Sequence, residues 1–384
     1  MKTWTKVGVV GAGTMGSGIA QIASQAGCSV VLLDSQKEAL ERSASDLSKV
    51  MDRLVEKGKV AEKQAKEIQS RITRTENMKE MAGCDVVIEA IVEDLGAKLS
   101  LFRALEEVLA VDAVLATNTS SLSVTALAQA CKRPERVLGL HFFNPAPLMA
   151  LVEVVPALQS RADLVDHGVR EMTRWGKSPA KAQDTPGFIV NRVARPFYSE
   201  ALRIFEEGIA SVEDIDASLR AQGFRMGPFE LMDLIGHDVN YAVTSTVHTA
   251  FYGDSRYRPS HTQRQLVAAQ WLGRKSGRGF YTYHDGIKQE TGGRVVEGVA
   301  ERVLAMLMNE AADAVFWQVA SASDVDIAMQ KGVNYPKGLL EWADEWGLQE
   351  VVNLLEALGQ RYGEERYRVS PMLRDLVRAN KSFF

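Results

Sequence analysis

Over the first part of the chain, short apolar runs alternate with longer stretches whose apolar residues recur three or four apart. Residues 6–10 (KVGVV) are one such run, and 14–26 carry a helical pattern. Residues 28–34 (CSVVLLD) are β-branched and apolar, as expected of a strand buried on both faces. Residues 36–70 are charged, yet Leu40, Leu47, Val50, Met51, Leu54 and Val55 keep helical spacing, and Gly58 is placed to split the stretch into a helical hairpin. Strand-like runs return at 84–91, 113–117 and 137–143. Strands alternating with helices predict an α/β fold, a Rossmann-type doubly wound sheet. The turn signal at 184–187 (DTPG) marks a domain boundary, and beyond it the pattern is helical with no predicted strand. A polar, glycine-rich linker follows at 285–294.

The helical part repeats itself. Arg256-Tyr257-Arg258 and Ser260 recur as Arg366-Tyr367-Arg368 and Ser370, at an offset of 110. At the same offset Asp214-Ile215-Asp216 matches Asp324-Val325-Asp326, and Glu200-Ala201 matches Glu310-Ala311. Gly227, Glu230, Asp233 and Gly236 match Gly338, Glu341, Asp344 and Gly347 at 111. Independent amphipathic helices share apolar spacing, not identical charged groups in one register. Two copies make a duplicated domain rather than a solenoid. The predicted organisation is a nucleotide-binding domain at 1–184 with its hairpin at 36–70, a first all-α copy at 185–284, and a second, truncated all-α copy at 295–384. Trp317, Trp342 and Trp346 read as core of the repeated unit.

Composition narrows the function classes. The chain has 384 residues, 46% hydrophobic and 24% charged, as in a globular protein, and length alone predicts two or three domains. Its net charge of −4 gives no overall footprint for nucleic acid. No stretch approaches the ~20 apolar residues of a membrane span, and the N-terminus does not read as a signal peptide. Cys28, Cys84 and Cys131 are odd in number and far apart, with no metal-ligand spacing, so a reduced cytoplasmic chain without a metal is expected.

Gly11-Ala12-Gly13-Thr14-Met15-Gly16 fits G-x-G-x-x-G between a strand and a helix, and Asp34 ends the next strand 23 residues on. This is a dinucleotide-binding pattern: Gly11 for the tight turn, Gly13 for approach to the pyrophosphate, Gly16 for helix–strand packing. A carboxylate at Asp34 suits ribose hydroxyls and repels a 2′-phosphate, which favours NAD over NADP. His141 and Glu153 lie at equal distances from Pro147 in a turn-like segment, so a reversal there would set them face to face. A carboxylate on one imidazole nitrogen makes the other a general base; the same pair also suits a structural core histidine. Ser120, after a strand, suits either ligand binding or a helix cap. Asn191 is either a packing amide or a donor to a substrate carbonyl. Lys57 is a solvated tip or a grip for a phosphorylated ligand, and the basic loop at 273–279 is equally open. His167, His237, His248, His261 and His284 read as surface or packing residues.

Together these segments resemble the L-3-hydroxyacyl-CoA dehydrogenase family, including its 3-hydroxybutyryl-CoA members. The resemblance runs from Lys6 to Tyr283 through Gly11–Gly16, 89–93 (EAIVE), 118–122 (NTSSL), 139–145 (GLHFFNP), 151–154 (LVEV), 184–192 (DTPGFIVNR), 227–231 (GPFEL) and 277–281 (GRGFY). It implies NAD-dependent oxidation of a (S)-3-hydroxyacyl-CoA, as in β-oxidation and fatty acid metabolism. His141 would be the base, Glu153 its orienting partner, and Ser120 and Asn191 the donors to substrate. Thr14, Met15, Glu93, Lys98, Asn144 and Lys275 would join the glycines and Asp34 at NAD, and Lys57 would lie near the phosphates of coenzyme A. Val50 stands where relatives often carry a serine that touches coenzyme A, and Phe224-Arg225-Met226 replaces a common Tyr-Pro-Met.

The second helical copy has Glu301 opposite Asn191 and none of the implied catalytic groups. It is expected to pack on the first as an intrachain pseudo-dimer in a monomer, the alternative being a homodimer. A hydroxy-acid dehydrogenase of the gulonate type and a non-catalytic crystallin-like NAD-binding protein are the competing readings. A bifunctional β-oxidation protein is not expected, since the residues before Lys6 leave no room for a hydratase domain.

Overall fold

Runs of β-branched residues become central strands where helices cover both faces. In the computed structural model, which describes residues 1–289 and 292–384, eight such strands form one sheet. They are β1 (Lys6–Val10), β2 (Ser29–Leu33), β3 (Ile72–Thr75), β4 (Val86–Glu89), β5 (Val114–Thr117), β6 (Val137–Phe142), β7 (Leu151–Pro156) and β8 (Ser178–Lys181). The order is β3-β2-β1-β4-β5-β6-β7-β8, parallel except where β7 runs antiparallel to β6. The first six strands have the order of a dinucleotide-binding fold, with the switch point between β1 and β4. The helices α1 (Thr14–Gln25), α2 (Lys37–Glu56), α3 (Glu62–Ser70), α4 (Leu95–Val108), α5 (Val124–Ala128) and α6 (Ala162–Arg174) complete a unit that ends at Thr185.

The charged stretch after β2 forms the expected hairpin of α2 and α3. Leu40, Leu47 and Met51 bury one stripe of α2, and Gly58 turns the chain with φ +64°. Val50 departs from that stripe and is 37% exposed.

The second unit, from Pro186 onward, holds both helical segments in one body. It runs α7 (Val190–Val193), α8 (Arg195–Glu206), α9 (Val212–Ala221), α10 (Pro228–Ile235), α11 (His237–Ala250) and α12 (His261–Ala268). A short antiparallel pair, β9 (Tyr283–His284) with β10 (Ile287–Lys288), interrupts the all-α pattern. The linker at 285–294 includes Glu290 and Thr291, which lie outside the described residues. Then come α13 (Val299–Phe316), α14 (Ala322–Gly332), α15 (Leu339–Trp346), α16 (Leu348–Tyr362) and α17 (Pro371–Ala379).

The halves of this unit use the same contacts at the repeat offset. Asp216 accepts the first-turn amides of α10 at Phe229 and Glu230, and Asp326 accepts those of α15 at Leu340 and Glu341. Asp233 accepts Phe280 and Tyr281 amides, and its counterpart Asp344 accepts those of Phe383 and Phe384, which stand outside the repeat register. Across the two halves the contacts are reciprocal. Arg192 Nε donates to Glu310 at 2.6 Å, and Arg302 Nε donates to Glu200 at 2.6 Å. The Tyr257 hydroxyl joins Glu310 and the Tyr367 hydroxyl joins Glu200. All four ion-pair side chains are buried. The tryptophan expectation needs correction: Trp317 sits at the C-terminal cap of α13, past its buried face, and is 62% exposed.

Candidate active site

Loops at the carboxyl ends of parallel strands form the ligand edge of an open α/β sheet. Between β1 and α1, Gly11 has φ +102°, and a Cβ there would stand 2.6 Å from the Ala90 carbonyl oxygen. A Cβ on Gly16 would lie 1.8 Å from the Gly11 carbonyl oxygen, so its absence lets α1 start against the turn. Gly13 differs: it is exposed, and a Cβ there would meet no protein atom within 4 Å. Packing gives no reason for glycine at 13, whereas an anion drawn onto the first turn of α1 does. No described side chain caps α1. Asp34, just after β2, reaches the same loop, its Oδ2 accepting the Ala12 amide at 2.7 Å and its Oδ1 the Gln36 amide at 2.9 Å.

At the end of β4, Glu89 is fully buried and tied on every side. It accepts Lys98 Nζ at 2.7 Å, the Thr117 hydroxyl at 2.7 Å and the Ile91 amide at 2.8 Å. Lys98 is only 1% exposed, and its ammonium also meets Glu93 Oε2 at 2.9 Å. Its structural part is thus to hold Glu93 from within. Glu93 in turn collects the loop after β5: the Thr119 hydroxyl at 2.6 Å, the Ser120 amide at 2.9 Å, the Ser121 hydroxyl at 3.1 Å and the Ser121 amide at 3.2 Å. Burial alone would raise the Glu93 pKa, but the Lys98 charge and these hydrogen bonds outweigh it and hold the carboxyl at about 2. The Ser120 hydroxyl lies 3.4 Å from the same carboxylate.

The helix cap in this loop is Ser123, not Ser120. Ser123 accepts the Ala126 amide, and Asp184 accepts the Ser123 hydroxyl and the Val124 and Thr125 amides. Asn118 accepts the Phe142 amide at 2.8 Å and so locks this loop to β6.

β6 and β7 pair antiparallel in the register that sets His141 opposite Glu153. His141 Nδ1 and Glu153 Oε2 are 2.6 Å apart, Glu153 is fully buried, and His141 is 6% exposed with the Phe143 ring 4.4 Å from its own. A carboxylate at that distance fixes Nδ1 as the protonated nitrogen, leaving proton transfer to Nε2. The turn after β6 is held by Lys177, whose Nζ donates to the carbonyls of Ala146 at 2.6 Å and Met149 at 2.7 Å.

A groove of about 480 Å³ is lined by Gly13 and Thr14 of the glycine loop, Asn144 after β6, and Arg42 and Val50 on α2. Met15 is half-buried beneath the loop. Lys57 stands exposed at the tip of the α2–α3 hairpin. In the second unit, Asn191 lies in α7 and Lys275 pairs with Asp238 at 2.6 Å. The glycines at 273 and 279 have a structural reason, since a Cβ on either would strike Asp233.

Lys177 is the residue that sequence reasoning missed, while Glu89, Asn118 and Asp184 entered it only inside longer motifs, with no role of their own. Glu89 carried a signal, a carboxylate ending an apolar run, of the kind that drew attention to Glu153. Asp184 lies within a segment read as a turn signal and as part of the 184–192 motif, neither of which pointed to a capping role.

The family model described as 3-hydroxyacyl-CoA dehydrogenase, NAD binding domain, matches residues 6–185. That of the 3-hydroxyacyl-CoA dehydrogenase C-terminal domain matches 187–283 and 299–382. The chain is 39% identical to the 3-hydroxyadipyl-CoA dehydrogenase of Escherichia coli K12, over 96% of each chain. It is 40% identical to the 3-hydroxybutyryl-CoA dehydrogenase of Clostridioides difficile, over 73% of this chain and 99% of the relative. Among solved structures, the 3-hydroxybutyryl-CoA dehydrogenase crystal structure from Escherichia coli K12 superposes with a TM-score of 0.94 at 37% identity, covering 99% of this chain and all of the other.

Proposed function

The chain belongs to the 3-hydroxyacyl-CoA dehydrogenase family, NAD-dependent oxidoreductases, and we propose that His141 is the group that moves the proton when it oxidises a 3-hydroxyacyl-CoA to the 3-ketoacyl thioester. The observation that carries this reading is the buried His141–Glu153 pair at the ligand edge of the sheet.

The residues present fit the cofactor. Gly13 keeps clear the space over the first turn of α1, Asp34 supplies the carboxylate for ribose hydroxyls, and Thr14 and Asn144 line the same groove. When bound, NAD supplies the hydride acceptor. His141 Nε2 takes the proton from the C3 hydroxyl, and Glu153 stabilises the imidazolium that forms. Ser120 donates to the C3 oxygen as it gains carbonyl character. Glu93, ionised and held by Lys98, keeps Ser120 and its neighbours in place. Asn191 is assigned by resemblance as the donor to the thioester, Lys57 as the contact to coenzyme A phosphates, and Lys275 as a cofactor contact.

We also read the chain as a monomer in which the second helical copy takes the place of a partner subunit. The reciprocal Arg192–Glu310 and Arg302–Glu200 pairs support this, since matched exchanges of this kind are what a twofold interface makes. The names of the relatives divide between a dicarboxylic acyl chain and a short monocarboxylic one.

The test is NADH oxidation with 3-ketoacyl-CoA substrates. Turnover in the wild type, with its loss and unchanged NADH binding in His141→Ala, is the expected result. Full activity in His141→Ala overturns the assignment.

A further inference from the structure

Cations gathered around one cavity repel each other and focus a positive field into it, so such a cluster needs a reason. The second unit has a cavity of this kind, of about 590 Å³. That lies within the range of small-molecule sites, about 300–1,000 Å³. Arg203 on α8, His248 on α11, Arg258 before α12, and His261 and Arg264 on α12 line it. None of its lining residues belongs to the candidate active site.

The cluster is poorly neutralised. Glu206 is the only acid among the described residues that line the cavity. Its Oε1 accepts the Ser260 hydroxyl at 2.5 Å and the Thr262 amide at 3.4 Å, which commits it to the start of α12. Arg258 reaches Glu364 at 3.7 Å, but that carboxylate also meets Arg366. Neither Arg203 nor Arg264 forms an ion pair among the described residues. Arg203 is half-buried. Burial holds its guanidinium below the usual pKa; Glu200 opposes this, and the Arg258 charge adds to it.

The second helical copy neutralises the same arginines. Arg258 and Arg264 recur there as Arg368 and Arg374. Arg374 pairs with Glu356 at 2.7 Å, and Arg368 lies 3.6 Å from Asp313. At the repeat offset of 110 Asp313 corresponds to Arg203, and at 111 Glu356 corresponds to Ser245. The first copy therefore keeps both arginines, lacks both acids, and sets a third arginine where one acid would stand. His248, His261 and Tyr241 of the cavity correspond to Gly359, Pro371 and Val352. Packing is served by the neutral arrangement of the second copy, and the charged one of the first calls for an anion from outside the chain.

Guanidinium groups pair with phosphate oxygens through two parallel hydrogen bonds, and the hydroxyls of Ser199 and Tyr241 in the same lining add single donors. A lone carboxylate would offset one cation of the three arginines and fill little of the volume. We propose that this cavity binds a small molecule carrying two or more phosphate charges, with Arg203 as its half-buried contact and Arg258 and Arg264 as its exposed ones. The shared chemistry is the phosphate group, whether on an inorganic polyphosphate or on a nucleotide. The site belongs to the helical unit alone, so it does not rest on the dehydrogenase reading.

The experiment titrates the full chain with inorganic pyrophosphate and, separately, with ATP, by calorimetry. At least one of the two is expected to bind with a Kd tighter than about 0.5 mM. Arg203→Gln is expected to weaken that binding at least about tenfold, while NADH affinity stays within about twofold. Arg264→Gln, at an exposed position, is expected to weaken it at least about threefold. Tighter binding of ATP identifies the source as a nucleotide, and equal or tighter binding of pyrophosphate identifies it as an inorganic anion; both support the site. Binding of both probes weaker than about 0.5 mM overturns the inference, as does binding that a folded Arg203→Gln protein retains in full, since the anion then sits elsewhere. Thermal melts show whether each variant is folded. If Arg203→Gln does not fold, Arg264→Gln decides by the same criterion.

Discussion

His141 and Glu153 face each other across β6 and β7, with Nδ1 2.6 Å from a carboxylate oxygen that is sealed from solvent. The pairing does two things at once. It fixes the imidazole tautomer and, on the proposed mechanism, would favour the charge that the imidazole acquires. Glu153→Gln keeps the shape and removes the charge. It is expected to lower kcat about 10²-fold while NADH affinity stays within about twofold, measured by steady-state kinetics and fluorescence titration. Unchanged kcat would show the carboxylate to be only a packing partner.

Gly13 and Gly16 share a motif but have different physical reasons. A methyl group at 16 would stand 1.8 Å from the Gly11 carbonyl oxygen, whereas one at 13 meets no protein atom. Gly16→Ala is expected to lower the melting temperature by several degrees, on the scale of about 2–4 °C per kcal/mol for a chain of this kind. Gly13→Ala should melt like the wild type and bind NADH at least about tenfold more weakly, through crowding at the helix terminus. A Gly13→Ala protein with wild-type NADH affinity would contradict the placement of the pyrophosphate.

Lys177 gives a pH signature. Burial holds its ammonium down to about 8, against an ordinary value of 10.5. Between these values the unfolded chain carries a proton that the folded chain has released, so folding is favoured as pH rises through this window. Below pH 8 both states are charged and the folded one bears the full desolvation cost. The stability of the wild type relative to Lys177→Met should therefore rise by about 1–3 kcal/mol between pH 7.5 and 10. Denaturant midpoints at the two pH values measure it, and parallel slopes for the two proteins would rule out the assignment.

The buried pairs between the helical copies should behave as coupled groups. Glu310→Gln leaves the Arg192 and Arg256 guanidinium groups, both bonded to it, short of an acceptor in the interior. A loss of about 3–5 kcal/mol is expected. Glu200→Gln, its symmetric counterpart, should cost a similar amount through Arg302. Replacing Arg192 as well as Glu310 with methionine should recover part of the loss, and a strictly additive double variant would argue against the coupling.

Much of the fold was legible because its signals are local. The apolar runs at 6–10 and 28–34 and the periodic stretch at 36–70 each specify an element within a few residues. The register of β6 on β7 was legible for the same reason, since one turn at Pro147 sets it. What escaped were groups whose function depends on distant partners. Lys98 reads in sequence as a basic residue near the cofactor, and only the fold shows its ammonium between Glu89 and Glu93. Asp184 reads as a turn residue, yet it caps a helix some 60 positions earlier. Trp317 misled because aromatic content suggests core, while its place at a helix end leaves it in water.

The reciprocal contacts between the helical copies lie within one chain, which gives this interface no dissociation constant. Two separate subunits must find each other, and at low expression part of the population stands alone. Here the local concentration of one half around the other is set by the linker and does not change with the amount of protein. On the proposed monomeric reading, dilution leaves the interface intact, and the midpoint of unfolding should be the same at nanomolar and micromolar protein. The tether also ends the requirement that both halves be identical. A substitution in one copy no longer appears in the other, so equivalent places can differ, as Arg195 and Ala305 do.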